Sequence, residues 1–205
     1  MRRASGGARG RARRGVGLVE VACLAVASSL LLLAARGSLW FDEVWSAMLT
    51  RQCQGPWDVL GLRFDNNHLL NTLYVWSLGL ERPNDLEYRL LSVLSGIGAL
   101  AILGRIAGRR GGLAGVAAIV LAGSSFPLVL YFSEARGYGP AMFCAVLAFA
   151  LVRSRWAASG VVRVVACWGA MVLGMLSHLT FVLPTLALAA GAVSAELRRR
   201  EPAWR

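Results

Sequence analysis

Long apolar runs, separated by short polar segments rich in arginine, set the pattern of the chain. The runs cover 16–35, 88–107, 113–132 and 138–152. A last run, 161–195, is too long for one crossing, and Ser177-His178 is the only strongly polar pair inside it. A helix needs roughly 20 apolar residues to span a bilayer, so the pattern predicts six crossings, the last two meeting near Ser177-His178. The shorter run 68–80 would rise only about 20 Å as a helix, which suits a juxtamembrane or re-entrant helix better than a crossing. The expected fold is an all-α membrane protein with about six transmembrane helices. One or two juxtamembrane helices lie in the long first loop, and the domain plan is a basic tail at 1–15, a transmembrane module at 16–195 and a second basic tail at 196–205.

Within that first loop the period changes. Phe41, Val44, Trp45, Met48 and Leu49 recur at helical spacing and predict a short amphipathic helix lying in the membrane interface. Asp42 and Glu43 stand at its start, where free amides and the helix dipole favour ionised carboxylates. As a pure capping pair they would need no further explanation. His68, Asn71 and Thr72 share one face of the following short helix by their i, i+3, i+4 spacing.

Composition agrees with a membrane protein: 57% of the 205 residues are hydrophobic. The formal charge is +11, and all 22 basic residues are arginine. They stand between apolar runs rather than in an aromatic-laced patch, so they read as topology signals and not as a nucleic-acid surface. With a cytoplasmic N-terminus and no crossing at 68–80, sixteen arginines fall inside and eight of the eleven acids outside. This is the positive-inside bias, and it predicts a multi-pass protein of the plasma membrane. The first run reads as a retained signal anchor. Cys23, Cys53, Cys144 and Cys167 form neither a CxxC pair nor a Cys/His cluster, so neither a disulfide framework nor a zinc site is indicated.

This topology brings scattered polar groups to one rim. They are Asp42 and Glu43, the stretch DNNHLLNT with Asp65 and His68, the stretch SEARGY with Glu134, Arg136 and Tyr138, and His178. Each has an ordinary role open to it, as cap, headgroup anchor or belt aromatic, but convergence on one face favours a site.

The ordered set resembles the N-terminal half of the polytopic GT-C glycosyltransferases, in the branch of protein O-mannosyltransferases and aminoarabinose transferases. Its members are a signal-anchor helix, W-x-DE-x-x-S (Trp40, Asp42, Glu43, Ser46), His68 opening a short helix, YFSEARGYGPAM and GMLSHLTFVL. The resemblance covers roughly 39–190. It implies an all-helical enzyme that moves a sugar from a polyprenyl-phosphate-linked donor to an acceptor at the outer face of a bacterial cell envelope. It also implies roles. Asp42 is the catalytic carboxylate with Glu43 beside it, and Glu134, Arg136, Tyr138, His68 and His178 bind donor and phosphate. A divalent ion, Mg2+ or Mn2+, is expected on Asp42, Glu43 or Glu134 if metal neutralises the phosphate, or Arg136 does so alone. This chain reads NHLL where the family has HPPL, and SHL where it has a THY-like stretch. Family members run to several hundred residues, so a truncated chain, or a partner carrying a separately encoded C-terminal half, is a further expectation. The competing reading is a non-catalytic small polytopic membrane protein. A small transporter would want mid-membrane ionisable groups and repeat symmetry, and neither is evident.

Overall fold

The structure is a computed structural model that describes residues 5–62, 67–79, 84–153 and 160–200. The expected acid at Asp65, Arg155 and the extreme ends at 1–4 and 201–205 lie outside the described residues. Among the described residues every regular element is helical. In chain order they are α1 (Ser5–Ala34), α2 (Phe41–Thr50), α3 (Pro56–Gly61), α4 (Leu69–Leu78) and α5 (Asp85–Gly108). There follow α6 (Gly112–Gly123), α7 (Phe126–Ser133), α8 (Tyr138–Arg153), α9 (Gly160–Ser177), a 3-10 turn (Leu179–Phe181) and α10 (Val182–Arg200).

Among the described residues three helices are long and apolar enough to cross a membrane: Gly15–Ala34 within α1, α5 and α9. The expected single helix over 113–132 is instead two, α6 and α7, bent by 69°. Pro127 fits the break: it has no N–H to give to the Gly123 carbonyl four residues back and its ring would clash there, so α6 stops at Gly123, Ser125 is extended, and the chain restarts with proline in the first turn of α7. If this bent pair is one span, the count is four. The six expected crossings would also require α8, with 16 residues, and the apolar part of α10, both shorter than an ordinary span.

The helix ends follow local chemistry. Asn84 caps α5 by accepting the Leu86 N–H at 3.0 Å, Asp85 and Glu87 fill its first turn, and Arg105 lies in its last. At 177–178 the chain leaves the helix as the sequence pattern suggests, and the His178 imidazole caps the 3-10 turn by accepting the Thr180 N–H at 3.0 Å.

Helix α5 is the central post. It packs against α1, α6, α7 and α8, while α9 lies along α8. The main core joins Leu31, Val93, Ala99, Leu100 and Phe132. A second cluster of Val75, Tyr88 and Ala135 seats α4 against the top of α5 and the loop after α7. A third cluster joins Ala141 and Cys144 of α8 to Phe181, and many other apolar side chains face outward, Leu18, Leu113, Leu121, Val161 and Trp168 among them. So large an apolar exterior is what a lipid-facing protein presents.

Candidate functional site

The site is built around the loop 134–137, which joins α7 to α8 and is held by three neighbouring elements. The Ala135 N–H donates to Glu43 of α2, and its carbonyl accepts from Asn71 Nδ2 of α4 at 2.6 Å. The Arg136 carbonyl accepts from Ser92 Oγ of α5 at 3.0 Å. Gly137 allows the last close approach, because a Cβ there would land on the Ser177 carbonyl oxygen and 2.9 Å from His68 Nδ1. Three backbone groups and one glycine thus fix where the side chains of Glu134, Arg136 and Tyr138 stand.

The two adjacent carboxylates of α2 separate by helical phase. Glu43 turns inward and is buried, which differs from the exposed surface position expected for the pair. Its carboxylate accepts from Trp40 N–H (2.6 Å), Ala135 N–H, Arg89 Nε (2.9 Å) and Arg89 Nη2 (2.6 Å). The contact to Trp40 also closes the first turn of α2 through a third-position glutamate. Arg89 in turn spends its remaining donors on the carbonyls of Ala35, Gly37 and Ser38 at 2.7–3.1 Å. A guanidinium with five donors and a carboxylate with four acceptor positions are both filled, which is the condition for burying such a pair. Glu43 therefore acts here as a positioning group.

Asp42, one residue earlier, points outward with its side chain 61% exposed and pairs with Arg136 Nη2. Glu134, almost fully buried, stands with Oε2 3.5 Å from Arg136 Nη1. Arg136 is thus clasped between an exposed and a buried carboxylate. Among the described residues its buried Nε–H has no hydrogen-bond acceptor, and the buried Glu134 Oε2 has no hydrogen-bond donor, only that longer ion-pair contact. Burial raises the Glu134 carboxyl above its usual range, partly opposed by the Arg136 charge.

Beside this clasp the aromatic groups form a stack. The Tyr138 ring lies 4.2 Å from His178, His178 lies 4.7 Å from His68, and Tyr131 backs Tyr138 at 4.7 Å. His68 is lowered from 6.5 to about 4, first by burial and then by the neighbouring His178, so it is neutral at pH 7. Burial lowers His178 as well. Its Nδ1 faces the Thr180 N–H, so the neutral ring carries its proton on Nε2. The expected residues Asp42, Glu43, Glu134, Arg136, Tyr138, His68 and His178 are therefore all assembled at one end of α5.

The metal expected on Asp42, Glu43 and Glu134 does not fit the donor arrangement. The Glu43 oxygens are occupied, and the other two carboxylates converge on a guanidinium. Among the described residues no group of three or more His, Cys, Asp or Glu is placed to hold a metal ion.

A cavity of about 520 Å3 opens next to the clasp. Trp40, Phe41, Phe126, Val129 and Leu130 give it apolar walls, and Glu134 lies at its polar end. Sequence reasoning placed Arg89 and Ser92 only on an apolar run. Arg89 carried a signal in its chemistry, because an arginine inside an apolar helix needs a buried partner. No protein-family model, curated protein or solved structure matches this chain.

Proposed function

We propose that this chain is a membrane glycosyltransferase module that moves a sugar from a polyprenyl-phosphate-linked donor to a hydroxyl acceptor at the membrane surface. In this reading α1, α5, the α6–α7 pair, α8, α9 and α10 are six crossings, and the rim bearing Asp42 faces outward. The observation that supports it best is the Arg136 clasp: a guanidinium held in place by its loop, flanked by two carboxylates, with a buried N–H that has no acceptor among the described residues. A phosphate oxygen is the acceptor such a donor fits, and the fork of a guanidinium takes phosphate at two points.

The chemistry follows from the two carboxylates. The phosphate of the donor competes with Asp42 for Arg136 and frees the Asp42 carboxylate. Asp42 accepts the proton of the acceptor hydroxyl while its oxygen bonds to the sugar C1. The C1–oxygen bond to the phosphate breaks on the opposite face, inverting that carbon. Polyprenyl phosphate leaves with the bonding electrons, its charge met by Arg136. The apolar cavity beside Glu134 suits the first isoprene units, and neutral His68 and His178 with Tyr138 provide a stacking and hydrogen-bonding wall for a sugar ring.

The full chain reconstituted in liposomes with polyprenyl-phosphate hexoses and pentoses and a hydroxyl acceptor should release polyprenyl phosphate. Asp42→Asn should reduce that release by about 10²-fold or more, the usual contribution of a general base. Release unchanged by Asp42→Asn would remove the base from this scheme. No release with any donor would favour the non-catalytic reading, in which the clasp only fastens α2 to the loop after α7. That second reading draws on the same ion pairs, which by themselves would serve as a structural tie.

A further inference from the structure

At the end of α5 away from the clasp, Arg105 in the last turn and Arg109 at the C-cap, still in helical geometry, fall on one face four residues apart. Each borders two separate cavities. One, about 780 Å3, lies between α1, α5 and the start of α6, and is lined also by Val16, Glu20, Arg110 and the glycines at 104 and 108. The other, about 350 Å3, is an apolar groove between α5 and α8, walled by Ile102, Ile106, Leu147, Ala150 and Leu151. Both volumes lie within the range of about 300–1,000 Å3 of ordinary ligand sites.

Arginine in the last turn of a helix is explained in part by the helix dipole and by membrane topology. Neither explains why the two guanidinium groups stand at the junction of a polar chamber and a greasy groove. Among the described residues Arg105, Arg109 and Arg110 have no carboxylate within salt-bridge reach. Glu20, the acid on the chamber wall, lies against the backbone of Gly115 and 3.3 Å from where a Gly108 Cβ would stand, at the close crossing of α1 over α5 and α6. Three guanidinium groups outweigh that one carboxylate. Arg153, in the last turn of α8, stacks over Phe149 at 5.5 Å and adds positive charge at the C-terminal end of the helix that walls the groove.

We propose that these two cavities form a binding site for one anionic phospholipid, with its phosphate on Arg105 and Arg109 and an acyl chain in the α5–α8 groove. The pairing of charge with an adjoining apolar groove selects a lipid over a soluble anion, and the excess of guanidinium over carboxylate selects a negatively charged headgroup. The site is separate from the Asp42–Arg136 rim and does not depend on the transferase reading.

Native mass spectrometry of the full chain in detergent, titrated with phosphatidylglycerol or phosphatidylcholine of the same chain length, tests this. Phosphatidylglycerol should be retained at least fivefold more than phosphatidylcholine. The double variant Arg105→Gln/Arg109→Gln should remove that preference, whereas Arg36→Gln, at the other end of α1, should keep it. Ala150→Phe, which fills the groove and leaves both guanidinium groups, should lower retention with an unchanged helical circular dichroism signal. Equal retention of the two lipids, a preference for phosphatidylethanolamine, or displacement of phosphatidylglycerol by millimolar inorganic phosphate would each overturn the proposal.

Discussion

Glu43 and Asp42 look alike in the sequence, and only their helical phase tells them apart. Glu43 shares a face with Ser46, Ala47 and Thr50, and this polar face is the one packed inward. Of the apolar stripe that marks the helix in the sequence, Phe41, Val44, Trp45 and Met48 face outward, with Phe41 and Trp45 stacked at 6.4 Å, and only Leu49 is buried. Such inversion suits a helix in contact with lipid, where the interior is the better place for polar groups. The stripe was therefore legible, but the partner of Glu43 was not. Arg89 lies 46 residues away, and no local pattern links the two. Arg89→Gln should destabilise the fold by about 3–5 kcal/mol, because it leaves a buried carboxylate without its counter-ion. The double variant Glu43→Gln/Arg89→Gln should cost less than the two single changes together, since neither charge then remains buried alone. Denaturant titration of the four proteins in micelles measures this. Full additivity would mean that the pair does not couple the α1–α2 turn to α5.

Among the elements, the strongly periodic ones were readable and the interruptions were readable only where their chemistry is plain. The polar Ser177-His178 pair marks the end of α9, and the change of period at 41 marks α2. The break between α6 and α7 lies inside a long apolar run that reads as one helix by hydropathy, and only Gly123-Ser124-Ser125 and Pro127 signal the bend. The same limit applies to the loop 134–137. Its stretch, SEARGY, was visible as a polar interruption, but its anchoring by Glu43, Asn71 and Ser92 rests on contacts from three distant helices. Gly137 is the tightest point of that anchoring. Gly137→Ala should push the Ser177 carbonyl and the His68 ring away from the loop, displacing Arg136 and Tyr138. If the transferase reading holds, sugar transfer should fall at least tenfold while the α5-centred core persists. Loss of transfer without a change in helical content or thermal midpoint would support this; wild-type transfer by Gly137→Ala would show that the close packing of loop and α9 does not set the site.

On the scale of the whole molecule, the helical class and the apolar exterior were legible from composition and hydropathy, but the number of spans was not, because two short apolar helices and one bent pair fall between span and non-span. What the structure adds is polarity along α5. Twenty-four residues at 1.5 Å each make a post of about 36 Å, enough to cross a hydrocarbon core of roughly 30 Å. Arg89 and Ser92, near its start, tie Glu43 and the Arg136 loop to one end, while Arg105, Arg109 and Arg110 gather at the other. If α5 spans the membrane, Gln54, in the turn between α2 and α3 on the clasp side of α5, and Arg110 beyond the last turn must lie on opposite sides. In a chain with its four native cysteines replaced, Gln54→Cys should react with a membrane-impermeant maleimide from outside intact cells. Arg110→Cys should react only after the inner face is opened, as the arginine bias requires. Labelling of both from the same side would place the two ends of α5 in one compartment. The clasp would then have no membrane rim to occupy, and α5 would be a helix packed within the protein and not a crossing.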